Sequence, residues 1–184
     1  MGGRLFVISG PSGVGLREIV EQIVAGRTDL GAVTPVTARK MKAGEQDGVG
    51  FFFYDLDGWQ TLKESGDLLE TTELAGNDYG TSRHLVEEQL GAGKNVLLNL
   101  EPARAAQIKA NMPEAIWVYM EPSEAVLRRR LEKISRSRFE IEVRMDMAKR
   151  ERAMAAGSDF TVNTDDPAFA VAALNRLMDQ KDPA

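Results

Sequence analysis

Apolar residues along the chain follow two alternating rhythms. Short unbroken runs bounded by turn residues, Leu5 to Ser9, Asn95 to Leu100, Ala115 to Met120 and Phe160 to Asn163, have the length and composition of buried strands. Between them, apolar positions recur three or four residues apart over Leu16 to Ala25, Ser82 to Leu90, Pro102 to Ala110, Ser123 to Lys133, Glu140 to Ala156 and Pro167 to Met178. That is the period of amphipathic helices, and several of these stretches open on Ser or Pro. Strands and helices alternating over the whole length predict an α/β fold with a mostly parallel sheet. One stretch departs from the alternation: from Val33 to Tyr79, glycines and short alternating segments such as VGFFFYD and DLLETTEL surround a helical patch at Trp59 to Glu64. A small, mainly β insertion is expected there. The polar tail after Met178 is expected to fray.

Composition narrows the chemistry. With 184 residues, 43% of them hydrophobic and 28% charged, the chain suits one core carrying that insertion as a flap. It has neither the composition of a disordered chain nor a run of about 18 apolar residues suited to a bilayer, so no membrane partner is expected. Acidic residues outnumber basic ones by 28 to 23, for a formal charge of −5. This argues against a general polyanion binder such as a nucleic-acid protein and leaves a local basic pocket open. Without cysteine there is no disulfide, thiolate zinc site or cysteine nucleophile, and the single histidine, His84, reads as a helix surface residue. No metal site is expected from these residues. The start, MGGRLFVISG, carries only a short apolar run, far from a signal-peptide core, so a cytoplasmic location is the default expectation.

The strongest local signal is RLFVISGPSGVGLREIV: an apolar strand, the turn Gly10-Pro11-Ser12-Gly13-Val14-Gly15, then an amphipathic helix. In a phosphate loop, G-x-x-x-x-G-K-[ST], glycines let backbone N–H groups converge on phosphate oxygens, the lysine reaches the outer phosphates and the hydroxyl holds Mg²⁺. Here the lysine position is Leu16 and the hydroxyl position is Arg17. A preorganised electrostatic group is worth roughly 10²–10³ in rate, and two are missing. Arg17 restores charge, but a planar, directional guanidinium does not bridge phosphate oxygens as a metal ion does. Anion binding is expected to survive better than phosphoryl transfer. The plainer reading of such a turn is a tight strand-to-helix connection.

Further motifs follow the loop in order. TARKMKAGEQDG at Thr37 to Gly48, GNDYGTS at Gly76 to Ser82, NVLLNLE ending at Glu101, and VNTDDP near the C-terminus are similar to the T-T-R-x-P-R-x-G-E-x-x-G, G-N-x-Y-G-T-S, D-[IVL]-D and V-x-N-D-D motifs of the guanylate kinase family. The chain resembles that family from about Gly3 to about Met178. The resemblance implies a P-loop-type five-stranded parallel sheet flanked by helices in one domain spanning 1–184. The core would take about 1–32 and 80–184, a GMP-binding flap about 33–79 and a lid about 134–142. It also implies that Arg39, Lys42 and Tyr79 surround the phosphate of GMP, and that Glu70, Thr81 and Glu101 accept the guanine N–H donors. Lys42 stands where the family has arginine, and Phe51 where it has a second phosphate-binding tyrosine. Singly, these side chains read equally as solvated carboxylates, a turn aromatic and a surface cation.

The lid region reads Ile134-Ser135-Arg136-Ser137-Arg138-Phe139 instead of the family's G-R-G-T. Arg136 and Arg138, with Arg144 at the family's arginine on the next helix, are candidate phosphate clamps and the only catalytic candidates. The stretch RRRLEKISRSR reads equally as a basic helix end favoured by the helix dipole. Pro35, where active members carry serine, matches the V-P-x-T-x-R pattern of membrane-associated homologues whose kinase-like domains bind phosphorylated protein segments. The expectation is therefore a guanylate-kinase-like protein that keeps a pocket for GMP or another small phosphorylated ligand, with ATP-dependent transfer lost or severely impaired. Mg²⁺ and ATP would enter only if the chain were active. The alternatives are an active kinase using substitute basic residues, a module for a phosphorylated protein segment, and a relative acting on a sugar phosphate.

Overall fold

The structure, a computed structural model, describes residues 2–13 and 15–180. Val14 and the last residues of the tail lie outside that range. In chain order the elements are β1 (Leu5–Ser9), α1 (Leu16–Gly26), β2 (Leu30–Gly31), β3 (Val36–Thr37), β4 (Phe52–Phe53), α2 (Leu56–Glu64), β5 (Leu68–Leu74) and β6 (Asn77–Ser82). They continue with α3 (Arg83–Gly91), β7 (Asn95–Asn99), α4 (Pro102–Asn111), β8 (Ile116–Glu121), α5 (Glu124–Ile134), α6 (Arg138–Met154), β9 (Phe160–Asn163) and α7 (Pro167–Asp179). A five-stranded sheet has the order β2-β7-β1-β8-β9, and its β2–β7, β1–β8 and β8–β9 pairs are parallel. The expected α/β class and the parallel sheet are thus present.

Element ends follow local chemistry more closely than apolar period. Ser82 and Ser123, read as first helical residues, are caps: their hydroxyls accept from the N–H groups of Leu85 and Val126. Ser137 does the same for Glu140, so α6 starts at Arg138, two residues before its apolar period becomes visible. The segment 134–142 is accordingly the last residue of α5, a three-residue connection and the first turn of α6. The short strand β2, which pairs Leu30 and Gly31 with Asn95 and Val96, was not singled out because two half-buried residues carry no period.

The chain divides into two compact units. The first gathers the start of the chain through Leu5 with Asp29–Leu97 and Gln107–Ala115. It contains a second sheet, β4-β3-β6-β5, in the region expected to be a β insertion. Val36, Trp59, Leu69 and Val86 are buried within this unit. Its outer strand β5 is covered by the last turn of α4: Asn111 Nδ2 donates to the Leu69 carbonyl at 2.9 Å, and Gln107 Oε1 accepts from the Thr71 N–H at 3.0 Å. These bonds satisfy an edge that would otherwise expose its backbone groups.

The second unit comprises Phe6–Thr28, Leu98–Ala106 and the chain from Ile116 onward. Its core is apolar strand against apolar helix face: β1 is buried throughout, as is β8 from Ile116 to Met120. Ile19 and Ile23 of α1, Ala170, Leu174 and Met178 of α7, and a cluster of Leu127, Leu131, Ile141, Met145 and Ala148 between α5 and α6 complete it. Each fully buried large aliphatic side chain contributes about 1.5–3 kcal/mol before chain entropy is counted. Trp117 of β8 donates its indole N–H to Ser9 Oγ at 2.8 Å, fixing the end of β1 where the glycine turn begins.

Candidate functional site

The glycine turn leaves the carboxyl end of β1 and feeds α1, the place where parallel α/β sheets bind ligands. Gly13 and Gly15 have φ of +88° and +80°, in the left-handed region. At Gly13 the need is double, because a Cβ would lie 2.8 Å from Leu131 Cδ2. Gly15 caps α1 with backbone only, so the helix start has no side-chain cap hydrogen bond from its N-cap residue. An uncapped helix start on a glycine turn is a natural anion site.

The loop lines a cavity of about 660 Å³ that also includes Asn99, Leu100 and Glu101 from the end of β7, Arg130, Lys133 and Ile134 of α5, and Glu151 of α6. Leu16 and Arg17 line it as well, so the two substituted positions face the space a phosphate would enter. The Arg17 Nε donates to Glu21 Oε1 at 2.9 Å along an exposed helix face. Such a pair is weak and easily exchanged. Glu101 has 70% of its side chain exposed, and its Oε2 lies 3.3 Å from Arg104 Nη1.

Mg²⁺ does not fit this donor set. A permanently charged guanidinium stands at the hydroxyl position, and no group of three His, Cys, Asp or Glu side chains converges among the described residues.

Of the lid candidates, Arg136 and Arg138 are exposed and Arg144 donates to Glu140 Oε1 at 2.9 Å. None of the three lines the loop cavity; Arg130 and Lys133 do. These two cations, three residues apart on one face of α5, were within the basic stretch read from the sequence but not separated from it. Arg130 Nη2 donates to the Thr164 carbonyl at 2.7 Å, which aims it from the α5 surface. Glu151 was not anticipated at all.

A second constellation lies wholly within the first unit. Arg39 follows β3 and is held by Thr37, whose hydroxyl donates to the Asp78 carbonyl at 2.7 Å and accepts from the Arg39 N–H at 3.1 Å. Its guanidinium makes a two-pronged pair with Glu45, 2.8 Å on each side. It also packs over Phe51 and Phe53, with Cζ 5.4 and 5.1 Å from the ring centroids. Tyr79 of β6 lies against Phe51 at 5.6 Å between centroids. The guanidinium, followed by the Lys42 backbone N–H at 2.6 Å, lowers the Glu45 carboxyl to about 2. Lys42 itself is exposed.

Glu70 is not a solvated loop carboxylate: it belongs to β5 and only 1% of it is exposed. Leu69 and Glu70 are both buried although they are consecutive, because the β5–β6 register shifts between Leu68 and Glu70. Thr81 of β6, directly opposite, donates its hydroxyl to Glu70 Oε1 at 2.7 Å. Tyr79, Glu70 and Thr81 thus belong to one sheet, with Arg39 just past the end of its strand β3, whereas Glu101 belongs to the loop cavity of the other unit.

A parallel α/β sheet whose first strand feeds a glycine turn and an uncapped helix start places the chain in the class of phosphate-loop, nucleotide-binding folds. Comparison with known proteins gives the family. The guanylate kinase family model matches residues 2–181. A guanylate kinase of Synechocystis sp. is 37% identical over 182 residues, covering 98% of this chain and 95% of the relative. One from Synechococcus sp. (strain JA-3-3Ab) is 35% identical, covering 96% and 82%. The crystal structure of guanylate kinase from Anaplasma phagocytophilum shares the fold at a TM-score of 0.66 and 20% identity, over 99% of this chain and 88% of that one. The chain belongs to the guanylate kinase family.

Proposed function

We propose that this chain binds GMP through its flap cluster and an oxyanion at its glycine loop, and that ATP-dependent phosphoryl transfer is lost or severely reduced. The observation that carries the reading is that Leu16 and Arg17 open α1 and face the loop cavity, where the backbone still has the form of an anion site. The apolar Leu16 side chain neutralises nothing, and Arg17 does not reproduce a metal ion's coordination. In the flap cluster, Arg39 and Tyr79 are the phosphate partners. The buried Glu70–Thr81 pair is the acceptor set that suits guanine N–H donors. Lys42 adds an exposed charge.

Coverage of residues 2–181 by one family model supports treating both units as parts of a single domain, with flap and lid as delimited by the sequence. The family's named activity and the absence, among the described residues, of a helix long and apolar enough to cross a membrane support a cytoplasmic role.

One observation favours an active enzyme instead: Arg130 and Lys133 join Arg17 on the loop cavity, so cations are present although the loop lysine is not. A coupled assay with ATP, Mg²⁺ and GMP decides, beside isothermal titration with GMP. The expected result is GMP binding below millimolar concentration with turnover far under the ordinary range of about 1–10³ per second. Turnover within that range would establish the active reading, and absence of GMP binding would remove the acceptor pocket. The relatives carry the name guanylate kinase, which gives no support to a phosphorylated protein segment as partner.

A further inference from the structure

Glu151 has no place in the sequence motifs, yet it is the carboxylate of α6 that meets the glycine loop. One of its oxygens accepts from the Ser12 backbone N–H, so α6 holds the loop through this side chain. The other, Oε2, is buried and has no hydrogen-bond partner among the described residues. A buried carboxylate oxygen without a donor is costly when charged, and a proton is the simplest remedy. Burial pushes this carboxyl up most strongly, the Ser12 N–H pulls it down, and the charge of Glu101 pushes it up again. Around it the cavity sets three cations, Arg17, Arg130 and Lys133, against three carboxylates, Glu18, Glu101 and Glu151. That is a formally neutral lining where an anion is to bind. From β8, Tyr119 also faces Glu151, but burial pushes its phenol up to about 12, so it stays protonated. Arg150 lines the neighbouring cavity beside Glu101 and Glu151.

We propose that Glu151 is a positioning residue of the glycine loop that couples oxyanion binding there to the uptake of one proton. As the anion settles on the loop N–H groups, Oε2 takes a proton from hydronium or a buffer acid, so that one O–H bond forms on the carboxyl as the donor's own bond to that proton breaks. The Ser12 N–H contact stays on the other oxygen, and the lining changes from neutral to singly positive. No other bond is made or broken. The ligand class is a phosphate-type oxyanion, bound more tightly in acid than in base. The inference rests on the proposed loop function, and the test separates the two.

Inorganic sulfate is the probe, because it does not titrate between about pH 5.5 and 8.5 and any dependence therefore belongs to the protein. At constant ionic strength, its affinity for the whole chain is expected to fall with rising pH by up to about tenfold per unit. Calorimetry in two buffers of different ionisation enthalpy should show uptake of close to one proton. Glu151→Gln keeps an acceptor for Ser12 and carries no proton to lose. It should bind at pH 8.5 as tightly as the unmodified chain at pH 5.5, with a flat profile, while Glu18→Gln retains the slope. If Glu151→Gln does not fold, the unmodified chain with Glu18→Gln and Glu101→Gln decides, since about one proton must persist in both. Sulfate binding with no pH dependence, or a slope unchanged by Glu151→Gln, overturns the inference and leaves the loop site standing. No sulfate binding at any pH overturns both.

Discussion

In the flap cluster, charged side chains satisfy one another. Arg39 is engaged on both prongs by Glu45 and backed by two phenylalanines, and Glu70 takes the Thr81 hydroxyl inside the sheet. In the loop cavity the pairing is looser, between exposed side chains such as Arg17 and Glu21. The N-cap of α1 has no side chain to offer, Glu151 Oε2 has no donor among the described residues, and Arg17 turns to an exposed neighbour. A ligand entering the first region must exchange existing bonds for its own, so its affinity is a difference between two good arrangements. An oxyanion entering the second has fewer such bonds to displace.

The largest expected effect comes from removing the contrast. Leu16→Lys combined with Arg17→Ser returns an ammonium and a hydroxyl to the loop, and turnover in the coupled assay should rise by roughly 10²–10³ or more. An unchanged rate would put the deficit at Pro35, Phe51 or the lid. Gly13→Ala attacks the loop from the other side. A non-glycine residue at φ +88° with its Cβ against Leu131 should cost about 1–3 kcal/mol of unfolding free energy and abolish sulfate binding, while GMP binding to the flap persists.

Phe51→Tyr adds a hydroxyl beside Tyr79 and Arg39, where a bond to a charged phosphate is worth about 1.5–3 kcal/mol; GMP affinity should rise by roughly 10- to 150-fold. The smallest effect is the acid response of the Arg39–Glu45 pair. The Glu45 carboxyl is held below its ordinary value, so the stability it contributes is fully present above that value. It is lost as pH falls towards about 2. Melting curves of the unmodified chain and Glu45→Gln should differ at neutral pH and converge near pH 2.

Much of this was legible beforehand. Short apolar runs located β1, β7, β8 and β9 almost to the residue, although only β1 and β8 are buried on both faces, while β7 and β9 bury one residue each, Val96 and Val162. The loop and the flap motifs were legible because they are local. What stayed hidden depends on distance through space. Arg130 and Lys133 could not be told from Arg128, Arg129 and Arg136 without the helical phase that buries Leu127 and Leu131. Glu151 is one glutamate in a polar helix until α6 is folded against Ser12. The burial of Glu70 depends on a register shift that no alternation in LLETTEL announces.

The bond from Trp117 to Ser9 has a practical consequence. The chain has two tryptophans, and they fall one to each unit, Trp59 buried in the first and Trp117 in the second. Trp117 is tied to the residue just before the glycine turn, so its emission spectrum is a native optical reporter of that turn. Replacing Trp59 by phenylalanine would leave a single fluorophore through which loop occupancy could be followed by titration or stopped flow, without any attached dye.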